Sequence, residues 1–141
     1  MNDNSYTAGF FDGEGCCMIG RNYQVKVTAG QKKPDVLYWL RSKYGGKVYL
    51  GTKHCHWWQI SNKKEMEIFL RAIQPYLIVK KIDVELALKM ISLNSSNRER
   101  PQAKNGLFLP NPNKKEREGI YQAYKSYRKL CREEHYVKEA K

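Results

Sequence analysis

The chain predicts a mixed α/β (α+β) fold in the order αββαββα: an antiparallel sheet covered by helices on one face, followed by a C-terminal helical extension. Three observations carry that prediction. Two stretches alternate apolar and polar side chains around turn-forming clusters and read as hairpins. Segments with apolar residues three and four apart precede, separate and follow them. The 141 residues suffice for one domain with a real core.

The first helix is expected to end in Thr7-Ala8-Gly9-Phe10-Phe11-Asp12-Gly13-Glu14-Gly15, where two acids interleave with glycines. Asp12 and Glu14 fall at the C-terminal end of that helix, where the macrodipole is negative and acids are least welcome. A cation arriving there removes the conflict, and hard divalent ions prefer carboxylate and carbonyl oxygens. Gly9 and Gly13, one turn apart, carry no Cβ and admit another backbone closely. The stretch reads as a close-packed helix pair delivering acids to a shared metal site. The plain alternative is a helix-to-strand junction with solvated carboxylates.

The first hairpin spans residues 16–21 and 22–31, turning at Gly20-Arg21-Asn22. Tyr23, Val25 and Val27 alternate with Gln24, Lys26 and Thr28, as in a half-buried strand. Pro34 suits the first turn of the next helix; Val36, Leu37 and Leu40 form its apolar stripe, and Gly45-Gly46 ends it. The second hairpin covers residues 47–50 and 54–60 around Gly51-Thr52-Lys53. Val48, Leu50, Trp58 and Ile60 look inward, which leaves Lys47, Tyr49, Trp57 and Gln59 on the opposite face.

Ser61 resembles an N-cap, and a helix follows through Met66, Phe69, Leu70 and Ile73 to a break near Pro75. Another runs over residues 80–93, with Ile82, Leu86, Met90 and Leu93 spaced for burial. Residues 94–113 are polar and proline-broken, apart from Leu107-Phe108-Leu109, which is expected to dock on the body. A charged final helix is predicted over 114–136, with Ile120, Tyr124, Tyr127 and Leu130 or Cys131 as its packing residues. Residues 1–93 thus form the predicted core. Residues 94–141 form a basic loop and helix packed on, or extending, the same domain.

A formal net charge of +12 on so short a chain favours a polyanionic partner. No 18-residue apolar run competes for a membrane, and no N-terminal targeting segment precedes the opening motif, so an intracellular compartment holding DNA or RNA is the expected setting. Cys16, Cys17, Cys55 and Cys131 form no CxxC pair and read as reduced, buried or half-buried thiols. In His54-Cys55-His56 the two histidines would share a strand face, but no third ligand stands near, which argues against a metal there.

The opening motif, together with the order and lengths of the elements over residues 5–93, resembles the LAGLIDADG homing endonucleases. Thr7 stands in place of the first leucine, Phe10 and Phe11 replace aliphatics, and the final acid is Glu14 rather than Asp. A chain with one motif resembles the homodimeric members, which pair through the motif helices. The resemblance therefore implies a dimer interface over Ala8, Gly9, Phe11, Asp12 and Gly13. It implies Glu14 as metal ligand, with the Gly13 carbonyl beside it, and a structural role for Asp12. Lys80, in Gln74-Pro75-Tyr76-Leu77-Ile78-Val79-Lys80, matches the lysine that assists the attacking water, with Lys81 its adjacent rival. Where the family places a glutamine and a basic residue after the second strand, this chain has Ala29 and Gly30, leaving Gln31 and Lys33 as the nearest substitutes.

The same resemblance makes the polar sheet face an antiparallel DNA-binding surface carrying Gln24, Lys26, Thr28, Lys47, Tyr49 and Gln59. Such side chains suit major-groove readout. Trp57 shares that face and either stacks, contacts a thymine methyl or packs against the loop. Lysines and arginines near element ends (Lys32, Lys33, Lys53, Lys63, Lys64, Arg98, Arg100, Lys104, Lys114, Lys115) suit phosphate contacts, although any single one is more readily a solvated surface charge. The implied activity is a Mg²⁺-dependent double-strand break, with Mn²⁺ or Ca²⁺ as substitutes, in a long pseudo-palindromic DNA site. The implied biology is mobility of an intron or intein; no intein splicing residues frame the chain, which favours a free-standing or intron-encoded protein. The rival reading is a member without cleavage, acting as an RNA maturase or a DNA-binding regulator.

Overall fold

The computed structural model describes residues 2–95 and 113–139. The elements run α1 (Asp3–Glu14), β1 (Gly15–Ile19), β2 (Val25–Gln31), α2 (Asp35–Tyr44), β3 (Lys47–Leu50), β4 (His56–Ile60), α3 (Lys63–Ile73), α4 (Lys81–Ser95) and α5 (Lys114–Glu139). The core order is the predicted αββαββα, with α4 and α5 appended. The expected Leu107-Phe108-Leu109 patch and the cations Arg98, Arg100 and Lys104 lie outside the described residues. Among the described residues no helix is long and apolar enough to cross a membrane.

Asn2 opens α1, its side chain accepting from the Asn4 and Ser5 amides, which satisfies two of the unpaired donors of the first turn. Gly45 and Gly46 close α2 with φ of 83° and 91°, conformations that a side chain would strain. All four strands pair antiparallel in the order β1-β2-β4-β3. In register, Cys16 lies opposite Thr28, Thr28 opposite Gln59, and Gln59 opposite Lys47. Because the side-chain period of a strand is two, this register sorts the whole sheet into two faces.

The inner face (Cys17, Val27, Ala29, Trp58, Ile60) is buried against Ala8 and Phe11 of α1, Leu37 and Leu40 of α2, four residues of α3, and Val84, Ala87, Leu88 and Ile91 of α4. Phe69 stands at its centre, meeting Phe11, Tyr44 and Trp58 edge-on at ring-centroid distances of 5.6, 5.0 and 5.0 Å. The Trp58 indole donates to the Gly45 carbonyl (2.8 Å), so the one polar atom of this large buried ring is satisfied. Ile19, Met90 and Tyr124 form a second cluster that docks α5 on α4 and β1.

Several expectations are corrected. Tyr23 is not a strand residue: it turns the first hairpin with φ 64°, and β2 begins at Val25, so Gln24 belongs to the turn. Lys53 and His54 adopt φ of 58° and 57° in a 3₁₀ turn, so β4 starts at His56 and the two histidines do not share a strand face. Leu50 has inward parity but is 62 % exposed, because β3 is the outermost strand and, among the described residues, no helix covers its end. Asn62, not Ser61, caps α3 through the Lys64 and Glu65 amides.

In α4 the buried stripe passes through Asp83, Val84, Ala87, Leu88, Met90, Ile91 and Asn94 rather than Ile82 and Leu93. That helix is covered from two sides, by the sheet with α3 and by α5, and a stripe chosen for one face misses the second. On α5, Tyr124 is buried and Ile120 and Tyr127 are half-buried, while Leu130 and Cys131 are exposed. Cys17 is buried, Cys16 and Cys55 are half-buried, and Cys131 departs from the expected burial.

Candidate active site

The two acids that end α1 meet opposite fates. The Asp12 carboxylate accepts hydrogen bonds from three consecutive main-chain amides, Ile78 (2.8 Å), Val79 (3.2 Å) and Lys80 (3.0 Å). These amides lead into α4, whose first helical bond runs from the Val84 amide to the Lys80 carbonyl. An acid misplaced at the C-terminus of one helix is thereby accommodated at the positive N-terminus of another. The Lys80 ammonium, in turn, donates to the Asp12 carbonyl at 2.5 Å. A cation does relieve the negative end of α1, and it is the chain's own lysine.

Glu14, two residues on, is exposed, and its carboxylate has no hydrogen bond or ion pair among the described residues. Gly15 follows because the Phe11 ring lies over it: a Cβ there would fall 2.1 Å from Phe11 Cδ2. This close approach turns the chain from helix to strand with Phe11 in the core and Glu14 at the surface. Gly13 is exposed beside it. Lys80 is half-buried; its rival Lys81 is exposed and starts α4.

Gln31 and Lys33 stand at the same end of the sheet, since Gly15 pairs with Ala29. Gln31 has the parity of the inner face, opposite His56, and is half-buried; Lys33 is exposed in the loop that follows. That loop is tied to β4 by His56, whose Nδ1 lies 2.9 Å from the Lys32 carbonyl.

The residues expected to share one face of α1 divide between two. Ala8 and Phe11 are fully buried in the chain's own core, and Asp12 is engaged with residues 78–80, so these three are not open to a partner. Gly9 and Gly13 are exposed, and a Cβ on either would meet nothing within 4 Å. With Tyr6, whose ring edge meets Trp39, they form an exposed stripe at helical spacing that the described residues leave largely uncovered.

The outer face of the sheet carries the residues expected there. Lys26, Lys47 and Tyr49 are exposed, Gln59 is half-buried with its amide oxygen 3.4 Å from the Tyr49 hydroxyl, and Thr28 is largely covered. Gln24 sits at the hairpin turn, at the margin of that face. Trp57 is half-buried on the same face, and its ring lies over Gly30 and Gly51, where a Cβ would fall 2.9 and 2.6 Å from ring atoms. Gly30 thus makes room for Trp57. Sequence reasoning missed Cys16 and Met18, which line the same face as Lys26, Thr28 and Tyr49. Their parity with Lys26 and Thr28 follows once the turn position is known, and that was the available signal.

The neighbouring charge is buried deeper. Asp83, 4 % exposed, has Arg128 Nη1 3.8 Å from one oxygen and no hydrogen-bond partner among the described residues for the other. Its burial raises the carboxyl above the ordinary aspartate range, partly countered by Arg128 and Lys80.

An antiparallel four-stranded sheet backed by four helices, with acids at the end of the first, defines a LAGLIDADG-type fold. Solved structures share it. The homing endonuclease I-TnaI is 25% identical with a TM-score of 0.59, the match covering 67% of this chain and 74% of that one. The LAGLIDADG meganuclease I-AabMI, bound to uncleaved DNA, is 24% identical with a TM-score of 0.60, covering 67% of this chain but only 38% of its own. I-CvuI, in complex with an uncleaved DNA target in the presence of Mg, is 21% identical with a TM-score of 0.58, covering 68% and 69%. No family model matches the chain, and no curated protein matches it. In its fold and its opening motif, this chain resembles the LAGLIDADG homing endonucleases.

Proposed function

We propose that the protein is a site-specific DNA endonuclease in which two copies pair through the exposed stripe of α1 and cut both strands of a long, pseudo-palindromic site. The observation that carries this reading is the contrast between the two acids. Asp12 spends its charge on holding residues 78–80, while Glu14, two residues beyond the Asp12 carbonyl that anchors Lys80, is unpartnered among the described residues at the end of a polar sheet face. The DNA in the I-AabMI and I-CvuI structures supports duplex DNA as the substrate.

The donor set fits a divalent ion only when shared. Among the described residues no group of three or more His, Cys, Asp or Glu side chains could hold a metal. One Glu14 carboxylate and the Gly13 carbonyl leave most positions of a hard cation open, for a second copy and phosphate oxygens to fill. Mg²⁺ suits such oxygens, with Mn²⁺ or Ca²⁺ as substitutes. When bound, the ion supplies charge neutralisation at the scissile phosphate and an activated water. The chain's own residues do the rest. Glu14 holds the ion against the cleavage position, Asp12 fixes the Lys80 backbone, and Lys80 orients the attacking water, with Gln31 and Lys33 bordering it. Lys26, Thr28, Lys47, Tyr49 and Gln59 read the groove, Gln24 borders it at the turn, and Trp57 braces the sheet beneath it.

Two-fold pairing makes the site near-palindromic. The 38% share of I-AabMI that this chain covers accords with one copy supplying only part of a complete enzyme.

The test is incubation with a library of randomised duplexes and Mg²⁺, sequencing the ends, with Glu14→Gln in parallel. Cuts at one near-palindromic site, absent with the variant, are expected. Binding without cutting by the unsubstituted protein would replace this reading with a maturase or regulator.

A further inference from the structure

α5 packs on α4 and reaches β1, the strand that ends the sheet on one side, through Tyr124 and Ile19. At the hairpin turn the Tyr23 hydroxyl donates to the Glu118 carboxylate, Arg117 lies 4.7 Å over the Tyr23 ring, and Asn94 of α4 donates to the Tyr23 carbonyl at 2.8 Å. One and a half turns on, Tyr124 is buried with Ile19 and Met90. A further turn brings Arg128 to the buried Asp83. A helix pinned at three successive points presents its outward side chains in fixed register with the sheet.

Those outward side chains are cationic. From 122 to 132 the helix carries Lys125, Arg128, Lys129 and Arg132 and no acid. Gln122, Lys125, Lys129 and Arg132, spaced three and four apart, are all exposed along one stripe. They line a groove of about 470 Å³ whose far wall is Met18, a residue of the open sheet face. The stripe and the reading face are therefore one continuous surface. Few of these charges are satisfied internally: Lys129 is 3.9 Å from Glu133, Lys125 lies over the Tyr121 ring, and Arg132 has no ion-pair partner among the described residues.

We propose that this stripe is a phosphate-binding extension of the sheet face, along which one strand of duplex DNA lies, adding affinity without sequence preference. The inference rests on the proposed DNA-binding reading of that face and assigns the C-terminal helix a direct part in it. Each neutralised phosphate releases counterions, so such contacts show in salt dependence rather than in base preference.

The test compares the full chain with Lys125→Gln/Lys129→Gln/Arg132→Gln, leaving Arg128 to its buried partner. Both are titrated with a long random-sequence duplex in EDTA over a range of salt, and circular dichroism checks that the variant melts like its parent. The slope of log K against log salt is expected to fall by about 2 to 3, at about 0.9 per phosphate. Equal slopes would overturn the inference and leave the DNA-binding reading standing. No duplex binding by the unsubstituted chain would remove both. A larger loss on single-stranded RNA than on the duplex would also overturn it, reassigning the stripe to RNA.

Discussion

Replacing Asp12 by alanine should cost stability that no change at Glu14 can match. Asp12 satisfies three main-chain amides at the entry to α4 and draws Lys80 onto its own carbonyl. Loss of a capping acid costs about 0.5–2 kcal/mol, and hydrogen bonds to a charged group contribute about 1.5–3 kcal/mol. Because Asp12 is only half-buried, water recovers part of the loss, which leaves about 2–3 kcal/mol. Unfolding entropy of about 2.1 cal/mol/K per residue over 141 residues converts this to a Tm lower by about 7–10 °C. Asp12→Asn, keeping one acceptor oxygen, should lose about half as much. Thermal unfolding followed by circular dichroism reads both, with Glu14→Gln as the internal contrast: abolished cleavage on an unshifted melt. An Asp12→Ala protein that melts with its parent would refute the division of labour between the two acids.

Two further outcomes follow from the geometry. Gly9→Glu places a charge on the uncovered stripe of α1 where a Cβ meets nothing, so the chain should fold normally yet sediment as a monomer and lose cleavage; a dimer surviving the change would refute pairing through α1. Asp83 has a folded-state pKa raised by burial, so its ionisation opposes folding: stability should fall as pH rises from its unfolded value, about 3.9, through the raised folded value, and level off above it. Asp83→Asn removes that slope, so in urea unfolding the variant should gain on its parent from about pH 4 towards pH 7, and parallel pH profiles would refute the assignment.

Local pattern carried much of this molecule. Strand alternation around Gly20-Arg21-Asn22 and Gly51-Thr52-Lys53, and the Gly45-Gly46 stop, are events within a few residues, so hairpins and helix ends could be read from composition and spacing. Where prediction slipped, long-range packing had decided. Leu50 is exposed because its strand is outermost, and the stripe of α4 shifted because α5 covers a second side. Tyr23 adopts a left-handed turn conformation where α4 and α5 clamp it from positions about 70 and 95 residues away, distances no local pattern reports.

The candidate site divides in the same way. The sequence by itself determined that two acids end a helix where its dipole disfavours them, that glycines flank them, and that the chain carries a large positive charge. The resemblance implied a structural role for Asp12 and a free Glu14, but only the tertiary structure supplied the partners that hold Asp12. The amides that hold Asp12 come from residues 78–80, 66 to 68 positions away, and hydrogen bonding depends on distance in space rather than along the chain. The same folding put Trp57 over Gly30, as the turn from α1 to β1 put Phe11 over Gly15, so that two glycines serve as seats for two aromatic rings. Residue chemistry names the groups a site can use; only packing determines which of them remain available to react.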